Sequence, residues 1–270
     1  MTSTSSFKPK LLLLDGTSVV RRVWEAVPGE PGPARVDGAL TASMHSIKRA
    51  LAEHQPTHFL AAFDAAGKTW RHALFEQYKK DRPPMFEGLR AALPQLFAQM
   101  DSLGFAWASP PGVEADDVLA TVSVRAAARG FHVIVASNDV DLCSLLSEDV
   151  RVYSHFAKEW RGEEWLEKNL GVRPELIADY MALVGLDKKS VDGVDGVGPK
   201  TAARLLAEHG SLEGVLAAAS GIPGKLGERL RNAGNLCRRN RQLFTLKRDV
   251  ELNIRPSQLA LPNRTVARAA

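Results

Sequence analysis

LLLLDG, residues 11–16, is a run of four leucines that ends at an aspartate, and it decides the fold. Three other stretches likewise place acids at or just beyond an apolar run, namely FLAAFD (59–64), GVEADD (112–117) and VIVASNDVD (133–141). Because the carboxyl ends of parallel strands meet at one edge of a sheet, we expect these acids to gather there. They are Asp15, Asp64, Glu114, Asp116, Asp117, Asp139 and Asp141.

Hydrophobic periodicity predicts strands alternating with helices, and then helices alone. The strands are expected at residues 10–15, 58–64, 105–109, 131–137 and 150–154. The helices between them are expected at residues 36–54, 86–103 and 114–129. After about residue 170 the strand signals stop, and short helices are predicted at 174–184, 199–208, 211–219 and 224–244. We therefore expect an α/β domain at residues 1–170, with a mainly parallel sheet flanked by helices, and an all-α domain at residues 171–270.

Composition is ordinary for a globular protein. Of the 270 residues 45% are apolar and 24% are charged, and no apolar stretch approaches the length that spans a bilayer. The opening MTSTSSFKPK lacks the apolar core of a secretory signal, so a cytoplasmic protein without a membrane partner is expected. Cys143 and Cys237 lack the spacing of a zinc site and are expected to be buried, reduced thiols.

Positive charge is concentrated near the C-terminus. Residues 199–248 contain ten Lys and Arg against three acids, a net charge of +7, whereas the whole chain carries only +4. A basic region beside an acid cluster indicates a polyanion that is held by one part and processed at metals in another. The alternative is a solvated helical surface, which is the usual role of a basic run.

The gathered acids predict a metal site. So many carboxylates in one place repel each other unless cations neutralise them. An all-oxygen site suits Mg²⁺ or Mn²⁺, whereas zinc would require His and Cys. Helix capping is the alternative for GVEADD, and it would account for one or two of its three acids.

GKTWRHALFEQYKKDRPPM, residues 67–85, mixes cations with aromatic residues. Such a mixture is suited to phosphates and unpaired bases, so Arg71 and Tyr78 are candidate DNA contacts. Lys79 and Arg82 are the best candidates for stabilising charge on a scissile phosphate. The alternative is an amphipathic helix with a solvated basic face that ends at Pro83 and Pro84, and packing is expected for Trp70 and Phe75.

SVDGVDGVGPKTAARLL, residues 190–206, combines a glycine-rich turn with a helix that starts at Pro199. Exposed amides in the turn and the positive end of the helix favour binding of a DNA backbone phosphate. It is not a nucleotide-binding P-loop, because Pro199 separates Gly198 from Lys200 and the preceding segment is predicted as helix. The candidate DNA-binding residues are Gly196, Val197, Gly198, Pro199, Lys200 and Thr201.

Together these motifs resemble the bacterial 5′-nuclease family, which includes the N-terminal nuclease domain of DNA polymerase I, and most closely its stand-alone exonuclease IX branch. The resemblance runs from about Leu11 to Asp249 and also includes SNDVDLCSLL and DYMALVG. It implies a PIN-like nuclease domain with a helical arch around residues 67–100, and a helix-hairpin-helix domain. The implied activity is magnesium-dependent cleavage of DNA, as a 5′ flap endonuclease and 5′-3′ exonuclease. The protein is expected to act in replication or repair and to be a monomer.

The resemblance also implies roles for individual residues. The first metal would be held by Asp15, Asp64, Glu114 and Asp116, with Asp117 beside them, and the second by Asp139 and Asp141. Tyr78, Lys79 and Arg82 would belong to the arch or its base. A potassium ion would be held by the main-chain carbonyls of Leu183, Val184, Asp192, Val194 and Val197.

One departure concerns the second metal. Polymerase-type relatives read GDSSDNIPGV where this chain has GLDKKSVDGV at 185–194, so both expected acids are replaced, by Leu186 and Lys189. Asp187 is one place out of register. We therefore expect a weak second metal and a slow nuclease.

Two other functions are compatible with the sequence. The chain could recognise branched DNA without cutting it, which the changes at Leu186 and Lys189 favour and the seven remaining acids oppose. It could also be a magnesium-dependent hydrolase of small phosphate esters, since acids at strand ends occur in many folds. The basic C-terminal region would then have no purpose.

Overall fold

The fold is known from a computed structural model that describes residues 8–186 and 190–262. A six-stranded sheet lies at its centre, in the order β3-β2-β1-β4-β5-β6. The strands are β1 Lys10–Asp15, β2 His58–Ala62, β3 Trp107–Ala108, β4 His132–Ala136, β5 Val150–Ser154 and β6 Glu159–Trp160. All neighbours pair in parallel except β5 and β6. The predicted mainly parallel sheet is confirmed.

Helices cover both faces of the sheet. They are α1 Gly16–Ala26, α2 Pro33–His54, α3 Trp70–Leu74, α4 Glu87–Ser102, α5 Ala115–Ala127 and α6 Glu163–Leu170. Alternate leucines of β1 point to opposite faces, as strand geometry requires. Leu12 and Leu14 pack with α1, α2 and α4, whereas Leu11 and Leu13 pack with α5 and the C-terminal helices. The side chains of β1 are therefore buried on both faces.

The C-terminal part is helical in its described residues, apart from a short strand pair that was not among the predicted elements. Its helices are α7 Ile177–Val184, α8 Pro199–His209, α9 Leu212–Ala218, α10 Gly224–Asn232 and α11 Gly234–Phe244. Strand β7, Gly185–Leu186, pairs antiparallel with β8, Val191–Asp192. The predicted helix 224–244 is interrupted at Ala233, whose ψ of 3° ends α10 before α11 begins. None of the helices in the described ranges has the length and hydropathy needed to cross a membrane.

Helix α1 and the basic segment 67–85 also differ from the predicted elements. Helix α1 was not predicted, because its start GTS is typical of a turn; Asp15 caps it by accepting a hydrogen bond from the Ser18 amide at 2.8 Å. The basic segment 67–85 is helical only at Trp70–Leu74 and continues in turns. Its cations therefore do not follow one helical face.

Candidate active site and nucleic-acid interface

Four of the predicted acids line one cleft at the carboxyl edge of the sheet. Asp15 ends β1, Asp64 follows β2, Asp116 lies in the first turn of α5 and Asp139 follows β4. We call this cavity of about 870 Å³ the acid cleft. Lys79, Asp81, Arg82, Asn138 and Leu186 are among its other lining residues. The predicted gathering of acids at one edge is therefore observed for these four.

The carboxylates share the acid cleft but are turned toward protein donors. Asp15 accepts from the Ser137 hydroxyl at 2.8 Å, and Asp64 accepts from the Ala115 amide at 2.9 Å. Within residues 8–186 and 190–262, no three Asp, Glu, His or Cys side chains are close enough to hold a metal ion as they stand. Ion binding would thus require side-chain rotations within the cleft.

The electrostatics of Asp15 nevertheless fit a cation. Burial raises the pKa of Asp15 to about 6, against the hydrogen bonds from Ser18 and Ser137, and the charges of Asp64 and Asp139 raise it further. A divalent ion with oxygen ligands would relieve this repulsion, and carboxylates are the ligands that Mg²⁺ prefers. The residues present therefore fit the implied metal.

Glu114 is buried between two cations, one residue before Ala115 in the lining of the acid cleft. Its Oε1 accepts from Lys79 Nζ at 2.7 Å, and its Oε2 accepts from Arg71 Nη1 at 3.0 Å. The Tyr78 hydroxyl donates to the same Oε2 at 3.2 Å. Coordination of a metal by Glu114 stays a prediction, and it would require exchange of one of these partners.

Asp117 and Arg71, a predicted metal ligand and a predicted DNA contact, form a buried ion pair. Asp117 is fully buried, and both its oxygens accept from the guanidinium of Arg71, at 2.7 and 2.9 Å. Trp70 Nε1 and the Lys247 amide also donate to Asp117. Burial by itself would raise the pKa of Asp117, but the hydrogen bonds and charge of Arg71 outweigh it and lower the pKa. Asp117 is therefore the buried ion-pair partner of Arg71, and neither side chain lies open to solvent.

Tyr78, another predicted DNA contact, is buried. Its side chain is only 2% exposed, so its ring cannot stack on a base. It packs in the core below α5 and directs its hydroxyl to Glu114. Trp70 and Phe75 are half-buried, in keeping with the packing expected for them.

Lys79 and Arg82 lie where two cavities adjoin. Both line the acid cleft and a second cavity of about 460 Å³, which we call the basic cleft. The basic cleft is also lined by Arg21 and Arg90, two cations that sequence reasoning missed. Arg21 lies in α1, the helix that Asp15 caps. Its closeness to Asp15 in the sequence was the signal that could have placed it near the acids. The four cations therefore line one cavity that adjoins the acid cleft.

The structure describes one of the two positions at which the expected acids of the second metal site are replaced. Leu186, an expected acid position, lines the acid cleft with its apolar side chain. Asp187 and Lys189 lie outside the described residues. Asp141 is buried in the 3₁₀ turn Val140–Leu145 and is not among the lining residues, so its role as a ligand stays a prediction. Asp81, which sequence reasoning missed, lines the cleft and accepts from the Ser190 hydroxyl at 2.9 Å.

Two of the five predicted potassium carbonyls, those of Leu183 and Val184, lie close to Gly193. A Cβ built on Gly193 would lie 2.3 Å from the carbonyl oxygen of Val184 and 2.5 Å from that of Leu183. The Leu183 carbonyl accepts from the Val194 amide at 2.8 Å, and the Asp192 carbonyl accepts from Asn240 Nδ2 at 2.7 Å. Each such oxygen retains a second lone pair. Because α7 ends here with its partial negative charge, the environment fits a cation.

The glycine-rich turn presents part of the predicted DNA-binding surface. Gly196, Gly198, Pro199 and Lys200 are exposed, and Thr201 is half-exposed at the start of α8. Val197 is different: its side chain is 4% exposed and its amide donates to the Val194 carbonyl, so contact through either group is excluded.

The basic C-terminal surface is partly neutralised by ion pairs. Arg229 pairs with Asp195, Arg238 with Glu213, and Arg241 with the buried Asp179. Lys200, Arg204 and Lys225 are exposed near the glycine-rich turn and at the start of α10. The surface for a polyanion is thus smaller than the count of basic residues indicated.

Comparisons with known proteins agree over residues 10–266. Residues 10–171 match the family described as 5′-3′ exonuclease, N-terminal resolvase-like domain, and residues 172–266 match the 5′-3′ exonuclease, C-terminal SAM fold. Flap endonuclease Xni of Pectobacterium carotovorum is 35% identical over 261 residues, covering 96% of this chain and 97% of the relative. Flap endonuclease Xni of Klebsiella pneumoniae is 36% identical over 254 residues, covering 93% and 98%.

Two solved structures share the fold. The bacteriophage T5 D15 flap endonuclease, in a complex with DNA and metal ions, aligns with a TM-score of 0.72 and 21% identity over 88% of this chain and 89% of the other. The catalytic core of Rad2 in complex with a DNA substrate aligns with a TM-score of 0.54 and 14% identity, over 85% and 73%. At these identities the likeness supports the architecture alone.

Proposed function

The chain belongs to the 5′-3′ exonuclease family, and on that premise we propose that it is a structure-specific 5′-nuclease that hydrolyses DNA at 5′ flaps with a bound divalent metal. The observation that carries the proposal is the acid cleft, where Asp15, Asp64, Asp116 and Asp139 lie beside Lys79 and Arg82. Acids of this number suit a divalent cation, and adjacent cations suit a phosphodiester. Flap endonuclease Xni relatives at about 35% identity support the same function.

In this proposal Mg²⁺ or Mn²⁺ would be held by Asp15, Asp64, Asp116 and Asp139, with Glu114 and Asp141 as further candidates. A bound divalent ion lowers the pKa of water and neutralises charge on the phosphate. The protein's own cations have a separate role: Lys79 and Arg82 would contact the scissile phosphate and stabilise the charge that develops on it. Leu186 in the lining supports a weakened second site and a slow rate.

The DNA duplex would be held outside the acid cleft. Gly196, Gly198, Pro199, Lys200 and Thr201 would contact its backbone, assisted by a potassium ion on carbonyls from Leu183, Val184, Asp192, Val194 and Val197. We assign residues 1–170 to cleavage, with residues 67–100 over the cleft, and residues 171–270 to duplex binding. The protein would act as a monomer in the cytoplasm.

The test compares Asp116→Ala with the unchanged protein on a labelled 5′-flap substrate in Mg²⁺. We expect cleavage to be abolished and DNA affinity, measured in EDTA, to be retained, because Asp116 lies at the acid cleft and not at the glycine-rich turn. Asp37→Ala, an exposed change on α2, is the control and should cut normally. Undiminished cutting by Asp116→Ala would refute the assignment.

The two other functions predict different outcomes. A protein that only binds branched DNA would leave the flap intact at every Mg²⁺ concentration. A hydrolase of small esters would bind flap DNA without the steep loss of affinity in salt that phosphate contacts produce. Titration of Mg²⁺ against flap cleavage would also show whether one ion or two are needed.

A further inference from the structure

Arg71 is 2% exposed and is anchored on three sides. Its Nε donates to the Leu243 carbonyl at the end of α11, at 2.8 Å. Its Nη1 and Nη2 donate to the two oxygens of Asp117, at 2.7 and 2.9 Å, and its guanidinium lies 4.4 Å from the centre of the Trp70 ring. A planar guanidinium held by this many contacts has one orientation.

Asp117, the partner of Arg71, is itself fixed by groups from distant parts of the chain. Trp70 Nε1 donates to it at 2.9 Å and the Lys247 amide at 3.0 Å, while the Glu114 amide approaches at 3.4 Å. The pair therefore joins α3, the start of α5 and the chain that leaves α11. Neither charge reaches solvent, so neither can contact DNA.

The same guanidinium also contacts Glu114, which lines the basic cleft. Arg71 Nη1 also donates to Glu114 Oε2 at 3.0 Å, and the other oxygen of Glu114 accepts from Lys79 Nζ at 2.7 Å. The sequence of contacts runs from Asp117 through Arg71 and Glu114 to Lys79. Lys79 adopts a left-handed φ of 58°, which a lysine holds only when its surroundings impose it.

We propose that Arg71 is a positioning residue for the cleavage reaction: anchored by Asp117 and Leu243, it orients Glu114 and through it places Lys79 at the cleft. This inference rests on the proposed function. It differs from a purely structural role, in which the Arg71–Asp117 pair would serve only to balance buried charge. The structural role predicts that any fold-preserving neutral replacement restores activity, because a buried ion pair is often replaceable without loss of stability.

The first test is Arg71→Lys, which keeps the charge but cannot reproduce the fork of hydrogen bonds. We expect kcat on a 5′ flap to fall by about 10- to 100-fold, the usual effect of losing a group that orients a ligand. DNA affinity, measured in EDTA, should change by less than about twofold. A loss confined to kcat indicates that the contact matters in the transition state and not in the binding of DNA.

Arg35→Lys is the matched control. Arg35 also stacks on a tryptophan, with its guanidinium 4.2 Å from the Trp24 ring, and also donates to two backbone carbonyls. It lies outside both clefts. Any general cost of replacing a stacked arginine by lysine should therefore appear in both variants, and the loss of kcat only in Arg71→Lys.

The second test is the neutral pair Arg71→Met with Asp117→Asn, which leaves no unpaired buried charge. We expect its kcat to stay at least about 10-fold below that of the unchanged protein, because methionine cannot orient Glu114. Recovery to the wild-type kcat, or an Arg71→Lys variant that cuts as well as Arg35→Lys, would overturn the positioning role.

Crystal structures of the variants provide a readout that does not depend on cutting. The distance from Glu114 Oε1 to Lys79 Nζ, 2.7 Å here, should lengthen in Arg71→Lys and stay unchanged in Arg35→Lys. If the unchanged protein fails to cut flap DNA, the proposed function is wrong, and this distance then tests only whether Arg71 orients Glu114 and Lys79. An unaltered distance in Arg71→Lys refutes it.

Discussion

Asp15 combines two roles that make opposite demands on its charge. As the cap of α1 it accepts from the Ser18 amide, which favours the ionised form. As a lining residue of the acid cleft it is buried near Asp64 and Asp139, which favours the protonated form and raises the pKa to about 6. The second effect is the stronger, so below about pH 6 Asp15 holds a proton that a divalent cation must displace.

The first prediction concerns pH and magnesium. The folded-state pKa of Asp15, about 6, lies above its ordinary value of 3.8. The stability that protonated Asp15 contributes to the folded state is therefore fully present below pH 3.8 and is lost as the pH rises through about 6. Mg²⁺ should therefore raise the unfolding temperature more at pH 7.5 than at pH 5. Each kcal/mol of binding free energy should raise that temperature by roughly 2 to 4 °C.

Scanning calorimetry with and without Mg²⁺ measures this difference, and Asp15→Asn should abolish most of it. An equal effect of Mg²⁺ at both pH values would contradict the prediction. Sequence reasoning placed Asp15 at the site but could not give its pKa, because burial and the distances to Asp64 and Asp139 arise only in the folded chain.

At the scale of elements, the end of α7 and the hairpin β7–β8 meet with almost no space between them. Gly193 follows β8, and a Cβ there would overlap the carbonyl of Val184. Gly185 has a left-handed φ of 72° and would overlap the Gly193 amide in the same way. The sequence indicated a tight turn at these glycines but not a hairpin that packs on the helix end, because that contact depends on where α7 ends.

The second prediction is that Gly193→Ala destabilises the protein by about 1 to 3 kcal/mol, the usual cost of an atom forced into a packed site. If K⁺ assists DNA binding, the unchanged protein should bind duplex DNA more tightly in KCl than in an equal concentration of LiCl. Gly193→Ala should remove this difference, because the added Cβ would displace the carbonyls predicted to hold K⁺. Chemical unfolding and a DNA-binding titration measure the two effects.

Gly221→Ala is the control for this change. A Cβ at Gly221 would meet only the Ala218 carbonyl, at 3.5 Å, which is an ordinary contact. The variant should lie within about 0.5 kcal/mol of the unchanged protein. If Gly193→Ala is equally harmless, the close contact at the end of α7 does not exist in solution.

Over the whole molecule, one apolar core crosses the boundary between the two matched family regions. The same cluster contains Leu11 of β1, Val118 of α5, Leu205 of α8 and Leu243 of α11. The chain after α11 then returns to the sheet, where the Leu261 amide donates to the Thr57 carbonyl at 3.0 Å. The two regions are therefore held together by more than a linker.

The third prediction is that the protein unfolds in a single transition, with equal calorimetric and van't Hoff enthalpies. Thr121 tests this at the contact between α5 and the returning chain: its hydroxyl donates to the Lys247 carbonyl at 3.3 Å and accepts from the Val250 amide at 3.2 Å. Thr121→Val should lower the free energy of unfolding by about 1 to 2 kcal/mol and leave a single transition.

The control is Thr245→Val, whose hydroxyl donates within α11 on the exposed surface. It should change stability by less than about 0.5 kcal/mol. Two separate transitions in the unchanged protein, or a second transition appearing in Thr121→Val, would mean that the C-terminal region folds independently.

The sequence by itself determined the parallel sheet and the presence of acids at its carboxyl edge. Four buried leucines followed by Asp15 can fold in few other ways, because strand periodicity and parallel pairing place the end of each run at the same edge. The tertiary structure alone decided what neighbouring acids do. Asp116 lines the cleft while Asp117 is buried, because successive helical residues point about 100° apart and the partners of Asp117 come from residues 71 and 247.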